Sequence, residues 1–152
     1  MLRALILVLL ALALSSGGAS ARSSGGAEEA YVAVEQDDLV VSVMLDTGEV
    51  TSRISVRGAR HVAVGTERRL VLVSSPSAGR VTAIDSFRHR KIGSFGGLGS
   101  PRGIEIVGRY AYVADAAHGE IVVLDLDLES WRIVGRVRVG GLPHDVAVGT
   151  VG

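Results

Sequence analysis

Short apolar runs recur along the chain, separated by turns rich in glycine, serine and aspartate. Between residues 101 and 142 this pattern predicts four strands, which we name A to D: Gly103–Val107, Tyr110–Asp115, Glu120–Asp125 and Arg132–Val139. Runs such as Ile121–Leu124 are apolar on both faces, which favours strands sandwiched between neighbouring sheets. After the N-terminal region, no stretch keeps a helical period over three turns.

The four-strand pattern repeats with a nearly constant period. Three similar segments begin 42 residues apart: Ala59–Val64, Pro101–Ile106 and Pro143–Val148. A second register aligns Tyr31–Asp46, Leu70–Asp85 and Tyr110–Asp125 without gaps. A period of about 40 residues with four strands per unit predicts an all-β protein made of β-propeller blades. The aspartates that end strand C (Asp46, Asp85 and Asp125) are interpreted as turn and hairpin caps rather than as a ring of ligands.

The predicted strands do not add up to a closed ring. The blades fall at about 30–58, 59–100 and 101–142, and the next one starts at 143–152. The first blade begins at strand B and the chain ends after a further strand A, which makes twelve strands, or about three blades' worth. Propellers typically close with about 4–8 blades. The chain is therefore expected to be a partial or truncated propeller, or one half of a six-bladed ring built by a homodimer.

The N-terminus has the order of a secretory signal peptide. Arg3 precedes an apolar run, Ala4–Leu14, and Ala19–Ser20–Ala21 is a small-residue cleavage pattern. The run is shorter than the roughly 20 residues that span a bilayer. We expect a signal peptide over residues 1–21 and a flexible leader over 22–29, with a retained N-terminal anchor as the alternative. The protein would then be secreted, periplasmic or in the cell wall, with no membrane span after processing.

Two stretches resemble the repeat of YVTN-type propellers, a family also called lactonase-like: Tyr112–Asp115 with Gly119–Asp125, and Gly140–Val148. NHL-type repeats share the pattern of Pro101–Asp115. The resemblance covers about Tyr31–Val148 and is specific for fold, not for function. It implies that strand A lines a central channel, with the start of that strand at the mouth where ligands bind.

Composition and motifs exclude several functional classes. Lys and Arg total 16, as do Asp and Glu, and aromatic residues make up 4%, so nucleic-acid binding is not expected. The absence of cysteine excludes disulfides, thiolate metal sites and a cysteine nucleophile. There is no G-x-S-x-G, H-x-x-x-H or P-loop motif. No catalytic residue, metal ligand or cofactor is predicted.

Four residues are candidates for ligand binding at the channel mouth. The 42-residue register places Arg60, Arg102 and His144 at one equivalent position, where they would form an anion-attracting ring. The alternative is that a wet turn tolerates long polar side chains there. Glu105 lies within strand A, where the other repeats have alanine, and pairing with Arg60 or Arg102 is favoured over a role as a cation ligand. His61, one residue out of register, is interpreted as a turn residue.

These observations favour a non-catalytic binding platform whose partner at the mouth is a protein or a small anionic ligand. The alternative is a lactonase-like or other hydrolase acting at the channel through Glu105, Arg102 and His144. A third interpretation is a fragment with no function of its own.

Overall fold

The computed structural model describes residues 27–127 and 129–151. The predicted signal peptide and most of the leader lie outside these residues. Among the described residues, no helix is long and apolar enough to cross a membrane. The strands are β1 (Glu29–Val34), β2 (Leu39–Met44), β3 (Val50–Ser55), β4 (His61–Gly65), β5 (Leu70–Ser75), β6 (Arg80–Asp85), β7 (Arg90–Phe95), β8 (Pro101–Val107), β9 (Tyr110–Asp115), β10 (Glu120–Asp125) and β11 (Arg132–Arg138).

The strands form three antiparallel sheets in which sequence neighbours pair. Their orders are β1-β2-β3, β4-β5-β6-β7 and β8-β9-β10-β11. This confirms the predicted B-C-D, A-B-C-D, A-B-C-D series. In the third sheet the predicted bounds of strands B and C are matched, whereas strand A begins earlier, at Pro101, and strand D ends at Arg138. The first strand begins at Glu29, inside the predicted leader.

The prediction of a twelfth strand over Pro143–Val148 is wrong. No strand is assigned to these residues, although they lie beside the start of β8, where the Gly103 amide donates to the His144 carbonyl at 3.0 Å. A strand needs a continuous ladder of backbone partners, and this segment has one such bond to β8. The edge of β1 that a strand A would occupy in the first sheet has no partner among the described strands.

Burial between the sheets holds the three blades together. One core cluster joins the second and third sheets through buried residues that include Leu70, Leu72, Val113 and Leu124. Another joins the first and second sheets through Val40, Ile54, Val71, Val73 and Ile84. Strand β5 contributes alternate residues to both clusters and is buried throughout. The prediction of strands that are apolar on both faces is therefore confirmed for the middle sheet.

The third sheet has an open outer face. Ile104 and Ile106 of β8 pack into the core cluster, so Glu105, which alternates with them, lies on the opposite face beside its cross-strand neighbour Tyr112. Val107 and Val137 are 43% and 56% exposed. This is the face on which a further blade would pack.

The conformations of the turns before and after strand C have clear physical causes. The residue before each strand C is left-handed: Asp38, Gly79 and Gly119 have φ values of 55°, 59° and 64°. At Gly79 a side chain would also approach the Leu98 carbonyl oxygen to 2.5 Å, so glycine is required there. At the other end of strand C, Asp85 accepts hydrogen bonds from the amides of Phe87 and Arg88, both at 2.9 Å. The predicted capping role of this aspartate is confirmed.

Leu124 tests the importance of the packing between the second and third sheets. Its side chain is fully buried in the cluster that joins them. Leu124→Ala should lower the free energy of unfolding by about 2–5 kcal/mol, because it removes buried methyl groups and leaves a cavity. Urea unfolding followed by circular dichroism measures the change. The control is Leu142→Ala, whose side chain is 80% exposed and whose replacement should cost about 0.5 kcal/mol or less. Equal losses for the two variants would contradict this account of the core.

Candidate functional site

The starts of β4 and β8 lie at the same end of their sheets, and the C-terminal segment passes beside them. The mouth is defined here as Arg60, His61, Arg102, His144 and Asp145. The Gly103 amide donates a hydrogen bond to the carbonyl of His144, which holds this residue in place. A side chain at position 103 would collide with Asp145. The close approach of the C-terminal segment to β8 therefore depends on this glycine.

Two histidines meet at the mouth. The rings of His61 and His144 lie 5.8 Å apart, edge to face, at 83°. His61 is the first residue of β4, where it pairs with Ser74. The interpretation of His61 as a turn residue is therefore wrong, because the backbone of this residue is already part of the sheet. The only sequence signal for it was its position directly after Arg60 and before an apolar strand.

The two arginines at the mouth have different surroundings. Arg60 is exposed and forms an ion pair with Glu35 at 3.2 Å. Arg102 is half-buried, next to an irregularity in the pairing of β8 with β9, and has no ion pair among the residues described. Arg102 is thus the guanidinium with more capacity to bind an added anion.

Several polar atoms at this end are buried without a hydrogen-bond partner in the described part of the chain. They are His61 Nε2, Arg102 Nε and the hydroxyl groups of Ser74 and Ser75. Buried polar groups in proteins nearly always have a partner, because an unpaired one costs about 1–3 kcal/mol. Sequence reasoning missed the two serines, since a serine at a strand end is indistinguishable from a turn residue.

The electrostatics of the mouth favour a neutral His61. Burial lowers the pKa of His61, and repulsion from His144 and Arg60 adds to this effect. Arg102 acts in the same direction, while the carboxylate of Asp145 acts against it. Burial is the largest cause of the lowered pKa, and beside it three cationic side chains and one carboxylate act on this imidazole. An added anion would offset both the burial and the repulsion.

Glu105 does not join the mouth residues. It lies on the open face of the third sheet, and it forms no ion pair within residues 27–127 and 129–151. The expected pairing with Arg60 or Arg102 is therefore wrong, because β8 turns Glu105 toward the face away from the second sheet. In the part of the chain that the structure describes, no group of three or more metal-ligating side chains comes together.

A buried carboxylate anchors the structure next to the mouth. Asp115 is fully buried at the end of β9 and accepts hydrogen bonds from the amides of Gly99 and Ser100, at 2.9 and 2.7 Å. His118 lies 2.8 Å from the same carboxylate. Burial opposes ionisation of Asp115, but the hydrogen bonds from Gly99, Ser100 and His118 outweigh it and lower the pKa. This carboxylate holds the 99–100 segment, which leads into Arg102.

Comparison with known proteins establishes the fold alone. No family model and no curated protein matches the chain. Solved structures do match it. Hydrazine synthase of Kuenenia stuttgartiensis is 23% identical, with a TM-score of 0.70 over 76% of this chain and 34% of that one. The periplasmic gluconolactonase PpgL of Pseudomonas aeruginosa is 17% identical, with a TM-score of 0.64 over 77% and 38%. Apo AztD of Citrobacter koseri is 21% identical, with a TM-score of 0.61 over 72% and 31%.

These structures contain β-propellers, so the expected fold class is confirmed as part of a propeller. The chain spans about a third of the length of each of these neighbours. The comparisons match no specific repeat family.

Asp115 gives a prediction on acid stability. In the folded state the pKa of Asp115 lies below its ordinary value, so the ionised carboxylate stabilises the fold. This stabilisation is fully present above about pH 5 and is lost as the pH falls through the folded-state pKa of Asp115. Asp115→Asn should lose about 1–3 kcal/mol at pH 7 and should lose less further stability between pH 5 and pH 3 than the unsubstituted chain. Urea midpoints at these pH values measure it, with the exposed Asp37→Asn as control. An unchanged acid response in Asp115→Asn would contradict the role of this carboxylate.

Proposed function

We propose that this chain is part of an exported β-propeller that acts as a non-catalytic binding platform, and that the mouth binds a small anion or an acidic group of a protein partner. One observation carries the proposal. Half-buried Arg102 and the paired imidazoles of His61 and His144 lie together at the starts of β4 and β8, with buried donor atoms that no described residue satisfies.

The charge distribution supports an anion rather than a cation. Glu35 already pairs with the exposed Arg60, which leaves Arg102 and the two imidazoles facing Asp145 as the nearby acid. An arginine can donate two parallel hydrogen bonds to a carboxylate, sulfate or phosphate group. The propeller fold supplies a rigid base, because the residues at the mouth belong to paired strands or are bonded to them.

Export is proposed from the N-terminal pattern. One similar structure is named as a periplasmic protein, which agrees with this localisation. The segment that would direct export lies outside the described residues, so the proposal rests on the sequence.

Sulfate is a suitable probe of the mouth because its charge is constant between pH 5 and pH 8. Sulfate should bind more tightly as the pH falls below the ordinary imidazole pKa of about 6.5, since a bound anion favours the protonated form of His61 and so raises its lowered pKa. Arg102→Gln should weaken binding about tenfold, the size expected for the loss of a charge-assisted hydrogen bond. Isothermal titration calorimetry at fixed ionic strength measures both effects.

The matched control is His89→Asn. His89 lies at the opposite end of the blades, in a left-handed position that asparagine tolerates. Sulfate binding that is unchanged in Arg102→Gln, or that falls equally in His89→Asn, would contradict the proposal.

A lactone hydrolase is the second candidate, favoured by the proximity of two imidazoles and the Asp145 carboxylate. Such groups can act as a general base toward water. In that case the chain should hydrolyse glucono-δ-lactone above the buffer rate in a pH-stat assay, and His144→Asn should reduce the rate by about 10²-fold or more. A binding platform predicts the buffer rate for both proteins.

A further inference from the structure

A second cleft lies at the end of the blades opposite to the mouth. We name it the arginine cleft; its volume is about 590 Å³, and it is lined by Glu67–Leu70, Asp85, Phe87, Arg88, Ile92, Gly108, Arg109 and Leu126. All of these residues belong to the second and third sheets and their turns, which are both complete with four strands. The arginine cleft therefore does not depend on any blade beyond those described.

The floor of the arginine cleft is apolar. Ile92 is half-buried and presents apolar surface to the cleft, with Leu70 and Leu126 fully buried behind it in the same core cluster. At the rim, Phe87 is 72% exposed although it is a large aromatic residue. Volumes of about 300–1,000 Å³ with an apolar lining are typical of sites for small molecules.

Two arginines of the cleft are already neutralised. Arg109 donates two hydrogen bonds to Asp125, both at 2.7 Å, and also pairs with Asp127 at 3.2 Å. The pKa of Asp125 is lowered to about 2, chiefly by Arg109. Arg88 pairs with Asp85 at 2.8 Å. These pairs fix the walls of the cleft and add little net charge.

The other two arginines have no ion pair in the described chain, and the structure holds both in place. The Nε of Arg68 donates to the Gly108 carbonyl at 2.7 Å, which leaves its terminal amino groups without a described partner. Arg69 is left-handed, with φ 52°, and its guanidinium lies 5.5 Å from the centre of the Phe87 ring. Glu67 is the one lining acid without an ion pair among the described residues, and Arg68 and Arg69 are the two lining guanidinium groups that an added carboxylate can meet.

We infer that the arginine cleft binds an aromatic carboxylate, with its ring on the apolar floor beside Phe87 and its carboxylate between Arg68 and Arg69. This site is separate from the mouth and does not rest on the function proposed above. The apolar floor selects against bare inorganic anions, and the two guanidinium groups select against neutral aromatic molecules.

The test uses the full chain and 2-naphthoate, with binding followed by calorimetry. We expect a Kd of about 1 mM or tighter, the affinity that a ligand of this size can reach. The neutral 2-naphthamide and inorganic phosphate should each bind at least tenfold more weakly. Equal binding of the amide would show adsorption to open sheet faces, and equal binding of phosphate would show a site for charge alone; either result overturns the inference.

Substitutions locate the site. Arg69→Asn suits the left-handed backbone and should weaken 2-naphthoate binding at least fivefold, as should Arg68→Gln. Phe87→Ser changes an exposed side chain, so it should leave the fold intact while also weakening binding. Glu67→Gln should strengthen binding two- to threefold, because it removes the opposing charge.

Arg138→Gln is the matched control, since Arg138 lies at the end of β11, at the opposite end of the third sheet, and is 81% exposed. The Arg138→Gln variant should bind 2-naphthoate as tightly as the unsubstituted chain. Binding that is unchanged in Arg69→Asn, Arg68→Gln and Phe87→Ser would overturn the inference, as would the absence of 2-naphthoate binding up to 10 mM.

Discussion

Burial of the middle sheet on both sides is the constraint on which the rest of this structure depends. Alternate residues of β5 enter different clusters, with Leu70 and Leu72 toward the third sheet and Val71 and Val73 toward the first. Burying an aliphatic side chain stabilises a fold by about 1.5–3 kcal/mol, so a sheet with two such faces needs a neighbour on each side. The arginine cleft between the second and third sheets, and the positions of β4 and β8 at the mouth, follow from this requirement.

The same packing sets the character of the two ends of the blades. At the mouth, strands begin and a loop returns, so side chains with unsatisfied donors gather around His61 and Arg102. At the opposite end, tight turns expose guanidinium groups whose positions are fixed by backbone carbonyls and aspartates. Each end carries a guanidinium group without an ion pair among the described residues, although the whole chain has no net charge. Overall composition therefore says little about what such a molecule binds.

The sequence predicted the fold well because its pattern of apolar strands and polar turns repeats with a nearly constant period. The 42-residue register and the aliphatic–aspartate ends of strand C located eleven strands, and strands B and C of the third sheet were matched to the residue. The register also placed Arg102 and His144 at equivalent positions, and the structure brings the segments that carry them together through the hydrogen bond from Gly103 to His144. It failed where the outcome depends on three-dimensional pairing. Glu105 alternates with the inward-facing Ile104 and Ile106 and therefore points away from the mouth residues, and Pro143–Val148 lacks the ladder that would make it a strand. The arginine cleft could not be predicted because it combines turns from two blades, separated by some 40 residues in the chain.

Glu105 has a consequence for whatever covers the third sheet. Its carboxylate lies on a face that also carries Tyr112 and the partly exposed Val107 and Val137. A sheet packed there would remove the carboxylate from water, at a cost of several kcal/mol unless a donor met it. An adjoining blade must therefore present an arginine, a lysine or a pair of hydrogen-bond donors opposite Glu105. A single acidic residue therefore determines which surface can pack against the third sheet: one with a donor opposite Glu105 is compatible, and a purely aliphatic one is not.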